Sequence, residues 1–331
     1  MKKIILTICV VSIIAFYLSN NIFNVSTHAN SIIDIKQESN STGNNSIPLS
    51  CNCVIFRFDD IQDYYHHNAQ LAIMDEFIHK NQSLSLGLIM HVFGNDSEVK
   101  DKVKEGFAKG LFELDLHGWD HINYSQLPEK TQKETLSAAD NKMRNIFGKD
   151  SEIFIPPYNT FNNITLMVLS DLKIKVLSSD KFEDSMSYFN ATKSGNQSDI
   201  YGIYHLPQTI EFNDWYKDEM LKVPVGDILG NATKNILKYG YAVLTLHPQY
   251  FSNVNETTGQ ETIDKEKMND LTFVIDQLTA SHTKIVPFLK VVSFGSTEVG
   301  NEDKGVTNTS NQTTSTTNSI GLNKHPWCSL F

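Results

Sequence analysis

Val54-Ile55-Phe56-Arg57-Phe58-Asp59-Asp60 is a short apolar run that ends on two adjacent carboxylates. Its β-branched and aromatic residues favour a buried strand, and its ending places acid chemistry where that strand stops. Runs of the same kind recur at 84–90, 111–116, 152–155, 174–177, 201–206, 242–246 and 285–294. Between most of them lie helical patterns, at 69–80, 98–109, 126–147, 164–172, 225–239 and 264–281. In 69–80 the apolar residues Leu71, Met74, Phe77 and Ile78 fall at helical spacing. Strands alternating with helices predict parallel βα units. About eight such strands in this length suit a (β/α) barrel better than an open doubly wound sheet. No glycine-rich phosphate loop follows any strand, so a dinucleotide-binding reading has no support.

The polar residues gather at the ends of these strands. The first runs into Asp59-Asp60, the second into His91, the third into His117 with His121 four residues on, the fourth into Pro156-Pro157-Tyr158, the fifth into Asp180 and the seventh into His247. A barrel collects the C-terminal ends of its strands on one rim, where barrel enzymes carry their active sites. Asp60, His117 and His121 are one carboxylate and two imidazoles, a set that suits Zn²⁺ with positions left for water. Residues two apart on a strand share a face. An inward Asp59 therefore puts Arg57 inside the barrel below it, and an inward His117 does the same for Asp115 and Glu113. An interior guanidinium needs a carboxylate. The alternation predicts that Arg57 pairs with Asp115 and also reaches Asp59.

Four segments of this region resemble the motifs of the polysaccharide deacetylases of the NodB-homology type, carbohydrate esterase family four. Phe56-Arg57-Phe58-Asp59-Asp60 is similar to Thr-Phe-Asp-Asp-Gly, and His117-Gly118-Trp119-Asp120-His121 to His-Ser/Thr-x-x-His. Phe154-Ile155-Pro156-Pro157-Tyr158 is similar to Arg-x-Pro-Tyr, and Leu244-Thr245-Leu246-His247 to Leu-x-Leu-x-His shortened by one residue. The resemblance implies a distorted (β/α) barrel and a metal-dependent hydrolase that removes N-acetyl groups from a polysaccharide, breaking a non-peptide C–N bond. It implies Asp60, His117 and His121 as ligands of a divalent metal, Zn²⁺ with Co²⁺ or Mn²⁺ as alternatives. It implies Asp59 as general base, His247 as the acid for the leaving amine, and Tyr158 and Pro157 beside the oxyanion. Asp214-Trp215 matches the family's remaining Asp-Trp motif, which makes Trp215 a sugar-stacking residue. The chain departs from the pattern at Ile155, where the family has an arginine that pairs with the base. That departure leaves an alternative: a glycan-binding pseudoenzyme of the same fold.

The rest of the sequence bears on location and partners. The chain has 331 residues and a formal net charge of -10, which provides no field to hold nucleic acid. Four cysteines are too few for a disulfide-built scaffold. Residues 1–29 read as a signal peptide or N-terminal anchor: Met1-Lys2-Lys3, an apolar run from Ile4 to Leu18, then polar residues. Either form places the remainder outside the cytoplasm, secreted or on the cell surface, with the membrane touched only by that segment. Asn-x-Ser/Thr triplets from Asn40 to Asn311 fit an exported glycoprotein. Residues 30–50 and the Thr/Ser/Asn-rich 296–331 read as disordered flanks of a single unit at 51–295. At that unit's start, Cys51 and Cys53 are poorly spaced to bond each other, which leaves a bridge from one of them to Cys328, or free thiols. The sequence sets no oligomeric state.

Overall fold

The computed structural model describes residues 51–180, 198–216, 219–255 and 257–296. The predicted leader, the predicted flanks apart from Ser296, and Cys328 lie outside the described residues.

The central strand is β1 (Cys53–Ile61), which contains the run that ends on Asp59-Asp60, and every residue of it is buried. It is flanked by β2 (Leu84–Leu88) on one side and β10 (Tyr241–Leu246) on the other, both parallel to it. From β2 the sheet continues through β3 (Phe112–Leu116), β4 (Ile153–Phe154), β5 (Val176–Leu177) and β6 (Tyr204–His205). Beyond β10 lies β7 (Ile210–Glu211). The stretch 204–211 therefore borders both ends of the sheet. Its start pairs with β5, its end pairs with β10, and Gln208 N–H donates to Ser179 O between them at 2.7 Å. A sheet of parallel strands curled until its ends share one segment is the barrel expected from the strand count, in the distorted form that the family resemblance implies.

Helices cover the outside: α1 (His67–Lys80), α2 (Ser97–Ala108), α3 (Glu129–Phe147), α4 (Asn163–Asp171), α5 (Val225–Tyr239) and α6 (Lys265–Ala280). Each lies within a residue or three of its predicted span, because its ends carry local stop signals. Asp96 and Asp264 accept first-turn N–H groups, Pro128 and Pro224 precede helices, and Gly148 and Gly240 end them in the left-handed conformation. Two antiparallel hairpins, β8 (Asn213–Tyr216) with β9 (Glu219–Lys222) and β11 (Ser252–Val254) with β12 (Glu261–Ile263), were not foreseen.

The last predicted strand is corrected. Only β13 (Lys284–Ile285) is extended and pairs with β1; Phe288–Ser296 is a helix, α7. The apolar run is buried in either form, so hydrophobicity alone does not decide it. What decides it is Glu113: its carboxylate accepts from the N–H groups of Phe288 at 2.7 Å and Leu289 at 3.2 Å, which satisfies two donors of the helix start. The cysteines are a second correction, since Cys51 and Cys53 are joined by a disulfide. Asn52 between them has φ 46°, and that left-handed kink brings the two Cα atoms to 5.2 Å, inside the normal range.

Alternation along β1 divides the interior. Val54, Phe56 and Phe58 pack toward the helices, while Cys53 and Ile55 join Ile155, Val176, Val243 and Phe288 in a smaller apolar cluster. Above that floor the next inward residues of β1 are Arg57 and Asp59, so the barrel is apolar at one end and charged at the other.

Gly106, inside α2, tests the packing. Helix propensity alone favours alanine there by about 1 kcal/mol. A methyl at that position would sit 2.1 Å from Cδ2 of the buried Phe112, an overlap that overpacking data set at roughly 1–3 kcal/mol. The clash wins, and Gly106→Ala should lower the urea midpoint; an unchanged or higher midpoint would show that Phe112 moves freely.

Candidate active site

The charged rim is built first by a defect in β1. Phe58 pairs with Leu86 and Ile61 with Leu88, so three steps on β1 oppose two on β2. The extra residue is Asp60, with φ 62°. In a regular strand Asp59 and Asp60 would face opposite sides. The bulge turns Asp60 back, and both carboxylates face one cavity. Gly87 on β2 leaves the room: a Cβ there would lie 3.2 Å from Asp59 Oδ1 and 3.4 Å from His117 Cβ.

Asp60, His117 and His121 converge as a set, with their ligand atoms within 4.8 Å of one another. Asp60 Oδ1 lies 3.2 Å from His117 Nε2 and 3.4 Å from His121 Nε2, is buried, and has no hydrogen-bond donor among the described residues. Zn²⁺ holds N and O ligands at about 2.0–2.2 Å in a tetrahedron, which separates neighbouring ligand atoms by roughly 3.4 Å. The observed spacings fit that requirement. His117 Nδ1 donates to Ile155 O at 2.8 Å, which leaves Nε2 its lone pair toward Asp60 and His121. Burial alone would raise Asp60 and lower His117, but their mutual attraction reverses both shifts. His121 is half-buried; burial and the neighbouring His117 lower it.

Asp59 is held by Arg57. The guanidinium donates from Nε to both carboxylate oxygens at 2.9 and 3.0 Å and from Nη2 to Oδ2 at 2.5 Å. Nη1 donates to the carbonyls of Ser178 and Ser179, at 2.9 and 3.2 Å, and Nη2 also to Asn159 Oδ1 at 2.9 Å. Every arm of the guanidinium is thus occupied in a site where both partners are 1% exposed. Burial would raise Asp59, but Arg57, His117 and His247 outweigh it and keep the carboxylate below its usual range.

The expected Arg57–Asp115 pair does not form. The register sets Arg57 opposite Ser85 and Glu113, and sets Asp115 opposite Gly87 one step further along. Asp115 is fully buried, both its oxygens lack donors among the described residues, and burial together with Glu113 and Asp59 raises it well above the carboxylate range. A protonated Asp115 needs no cation, which frees Arg57 for Asp59.

The same cavity, of about 400 Å³, is lined by Arg57, Asp59, Asp60, His117, His121, Pro156, Tyr158, Asn159, Glu211, His247, Gln249 and Tyr250. His247 follows β10, with Nε2 3.9 Å from Asp59 Oδ2; burial first, then Arg57 and His117, lower its proton affinity against the pull of Asp59 and Asp60. Tyr158, with φ 58° and 61% exposed, lays its ring against His121 at 4.6 Å. Pro157 is buried, and its neighbour Pro156 meets the cavity instead. Asp214 faces an adjoining cavity, and the side chain of Trp215 lies outside the described residues. Asp180 makes a bridge to Gln208, and His91 stacks on Trp119 and contacts Asp120, so neither lines the site.

Two contributors were missed. Asn159 follows Tyr158 and steadies Arg57. Glu211 ends β7, a two-residue strand too short to register as a periodic run. It accepts from Gln208 Nε2 at 2.7 Å and faces Tyr250 Oη at 3.5 Å. Burial, partly countered by Arg57 and reinforced by Asp59, pushes it up to about 7.

A family model described as polysaccharide deacetylase matches residues 46–177. No curated protein sequence matches the chain. Among solved structures, a provisionally assigned polysaccharide deacetylase from Mycobacterium smegmatis superposes with TM-score 0.54 at 12% identity, covering 83% of this chain and 99% of that one. This likeness shows the barrel fold. A carbohydrate esterase family 4 pseudoenzyme from Bacillus anthracis (TM-score 0.48, 12% identity, 73% of this chain and 65% of that one) is similar at a lower level. So is a family 4 acetyl xylan esterase from Clostridium thermocellum in complex with a cobalt ion (0.46, 11%, 73% and 90%). The chain spans less than two thirds of the Bacillus protein.

Glu211 gives the site a pH signature. An acid with a folded value near 7 and an unfolded one near 4.5 keeps its proton longer in the fold, so stability falls as pH rises through that window. Glu211→Gln removes the effect while keeping an acceptor for Gln208. The variant should match the parent at pH 4 and exceed it at pH 7 by on the order of 1–3 kcal/mol. Parallel denaturation curves across that range would show that Glu211 is not held protonated.

Proposed function

We propose that this chain, whose residues 46–177 carry the polysaccharide deacetylase domain, is a metal-dependent hydrolase that removes N-acetyl groups from an extracellular or cell-surface glycan. The observation that carries the reading is the Arg57–Asp59 pair beside the Asp60–His117–His121 cluster. A catalytic centre of this kind needs two neighbouring carboxylates with separate tasks, and the bulge at Asp60 supplies them on one side. The replacement of arginine by Ile155 is what favours a binding-only pseudoenzyme. Arg57 supplies a guanidinium to the same base from the strand itself, which supports catalysis instead.

Asp60 Oδ1, His117 Nε2 and His121 Nε2 would hold the divalent ion, Zn²⁺ by donor chemistry, with Co²⁺ or Mn²⁺ as alternatives. Such an ion supplies polarisation of the acetamide carbonyl and a more acidic water. Asp59, ionised by its contact with Arg57, accepts the water's proton. The backbone at Tyr158 borders the position of the developing oxyanion, where an N–H donor stabilises charge. His247 lines the same cavity, with Nε2 3.9 Å from Asp59 Oδ2, so the proton that Asp59 takes from the water passes to His247 and on to the departing amine; the lowered proton affinity of His247 favours giving it up. The apolar leader and the Asn-x-Ser/Thr triplets support export, which places the activity outside the cytoplasm.

Acetate release from N-acetylated glycans, measured with and without added Zn²⁺, Co²⁺ or Mn²⁺, tests the reading. Chelation should abolish release and metal should restore it. Asp59→Asn should bind metal yet lose about 10²–10⁴-fold in turnover. Arg57→Lys should retain more activity than Arg57→Met, because an ammonium keeps the charge but not the fork. Stoichiometric metal with no acetate from any acetylated glycan would favour the pseudoenzyme.

A further inference from the structure

The two imidazoles of the Asp60–His117–His121 cluster are not held alike. His117 Nδ1 donates to Ile155 O at 2.8 Å, which fixes that ring from behind. His121 has no such partner among the described residues. Its ring packs against those of His117 and Tyr158, its Nε2 faces Asp60, and no other residue bonds its Nδ1. Metal-binding imidazoles ordinarily donate their second N–H, and that contact sets the orientation of the ring. The placement of His121 must therefore come from the loop that carries it.

That loop, 118–121, turns through Gly118 at φ 84°, and glycine leaves a turn conformationally free. It is fastened to the short helical turn Met90–Val92 that follows β2. Met90 N–H donates to Gly118 O at 3.2 Å, and His91 N–H to Trp119 O at 2.8 Å. The His91 side chain then adds contacts on the next residues. Its ring stacks on Trp119, with centroids 5.0 Å apart and planes 13° from parallel, and its Nδ1 donates to Asp120 Oδ1 at 2.5 Å. α3 contributes Lys142, whose Nζ donates to His91 O at 3.1 Å and lies 5.7 Å from the Trp119 ring centre. Tyr124 Oη accepts from Trp119 N–H at 3.0 Å. Residue 120 is thus the link between a fastened Trp119 and His121, and among the described residues His91 is the one side chain that bonds its carboxylate.

We infer that His91 is a positioning residue: through Asp120 it fixes the backbone that presents His121, in the role that the Ile155 carbonyl plays for His117. The inference rests on the metal-binding part of the deacetylase reading. It gives a purpose to a histidine that stands after β2 and yet does not line the cavity. His91 is 55% exposed and Asp120 42%. An exposed pair contributes little to global stability, so its loss acts on the loop and not on the fold.

The test is the affinity for Zn²⁺ of full-length protein stripped with chelator, measured in competition with a chromophoric chelator, beside the melting midpoint of the stripped protein. His91→Ala should weaken binding by about tenfold, the lower end of what losing an outer contact on a ligand costs. Its midpoint should stay within roughly 2–4 °C of the parent. His91→Asn, whose amide can donate in place of Nδ1, should recover most of the affinity. Adding Asp120→Ala to His91→Ala should weaken binding by less than about twofold more, because both changes break the same link. Binding by His91→Ala within about twofold of the parent, no recovery by His91→Asn, losses at 91 and 120 that add in full, or a midpoint that collapses with the affinity each overturn the inference. A parent that binds no ion overturns it together with the metal-binding reading. A parent that binds the ion but releases no acetate overturns the deacetylase reading alone.

Discussion

The arrangement of the rim depends on one buried ion pair, Arg57 with Asp59. Placing both charges where each is 1% exposed costs more than their attraction returns unless the remaining hydrogen-bonding groups are satisfied. The fold meets that condition with three groups from two other segments: the carbonyls of Ser178 and Ser179 beyond β5, and the side chain of Asn159 in the turn after β4. Asn159 is itself left-handed, with φ 57°, and its carbonyl accepts from Ser179 Oγ. The turn that carries Tyr158, the end of β5 and the end of β1 are therefore fixed to one another through a single guanidinium. Removing it would leave Asp59 charged and unpaired, and would release the segments that shape the cavity wall.

The second constraint is the unequal count between β1 and β2. A regular strand offers one inward residue in two, and two carboxylates in sequence would be split between the barrel and its helices. The bulge removes that split at the cost of a left-handed aspartate. The absence of a side chain at Gly87 is the counterpart on the neighbouring strand. The cavity's two adjacent acids are thus supplied by β1 through backbone irregularity, while His117 and His247 arrive from the regular ends of β3 and β10.

Much of this was legible in the sequence. The strand-to-acid run at 54–60, the helix spans and the inward face of Arg57 all follow from local rules of alternation and capping. The gathering of Asp59, Asp60, His117, His121 and His247 in one cavity follows from the single rim of a parallel barrel. Register was not legible, because it is set by how neighbouring strands are offset. That is why Asp115 was assigned a partner it does not have. Nor could pattern find β7, whose two residues are defined by their partners in β10. The run 285–294 was read as a strand because an apolar stretch carries no period of its own; Glu113, far away in sequence, makes it a helix.

The pairing of β1 sets how the molecule can be assembled. Its first residues bond to β10 and β13, its later ones to β10 and β2, so the strand that appears first in the barrel is completed by segments near the end of the described chain. The stretch matched by the family model ends before β10 begins. Cut there, the chain would present one edge of β1, the longest strand among the described residues, to solvent, the geometry that invites pairing with other chains. Loop closure over such separations is slow, and the edge stays open while it proceeds. The segment that carries Asp59 and Asp60 is therefore incomplete by itself: one edge of β1 is paired only when β10 and β13 are present.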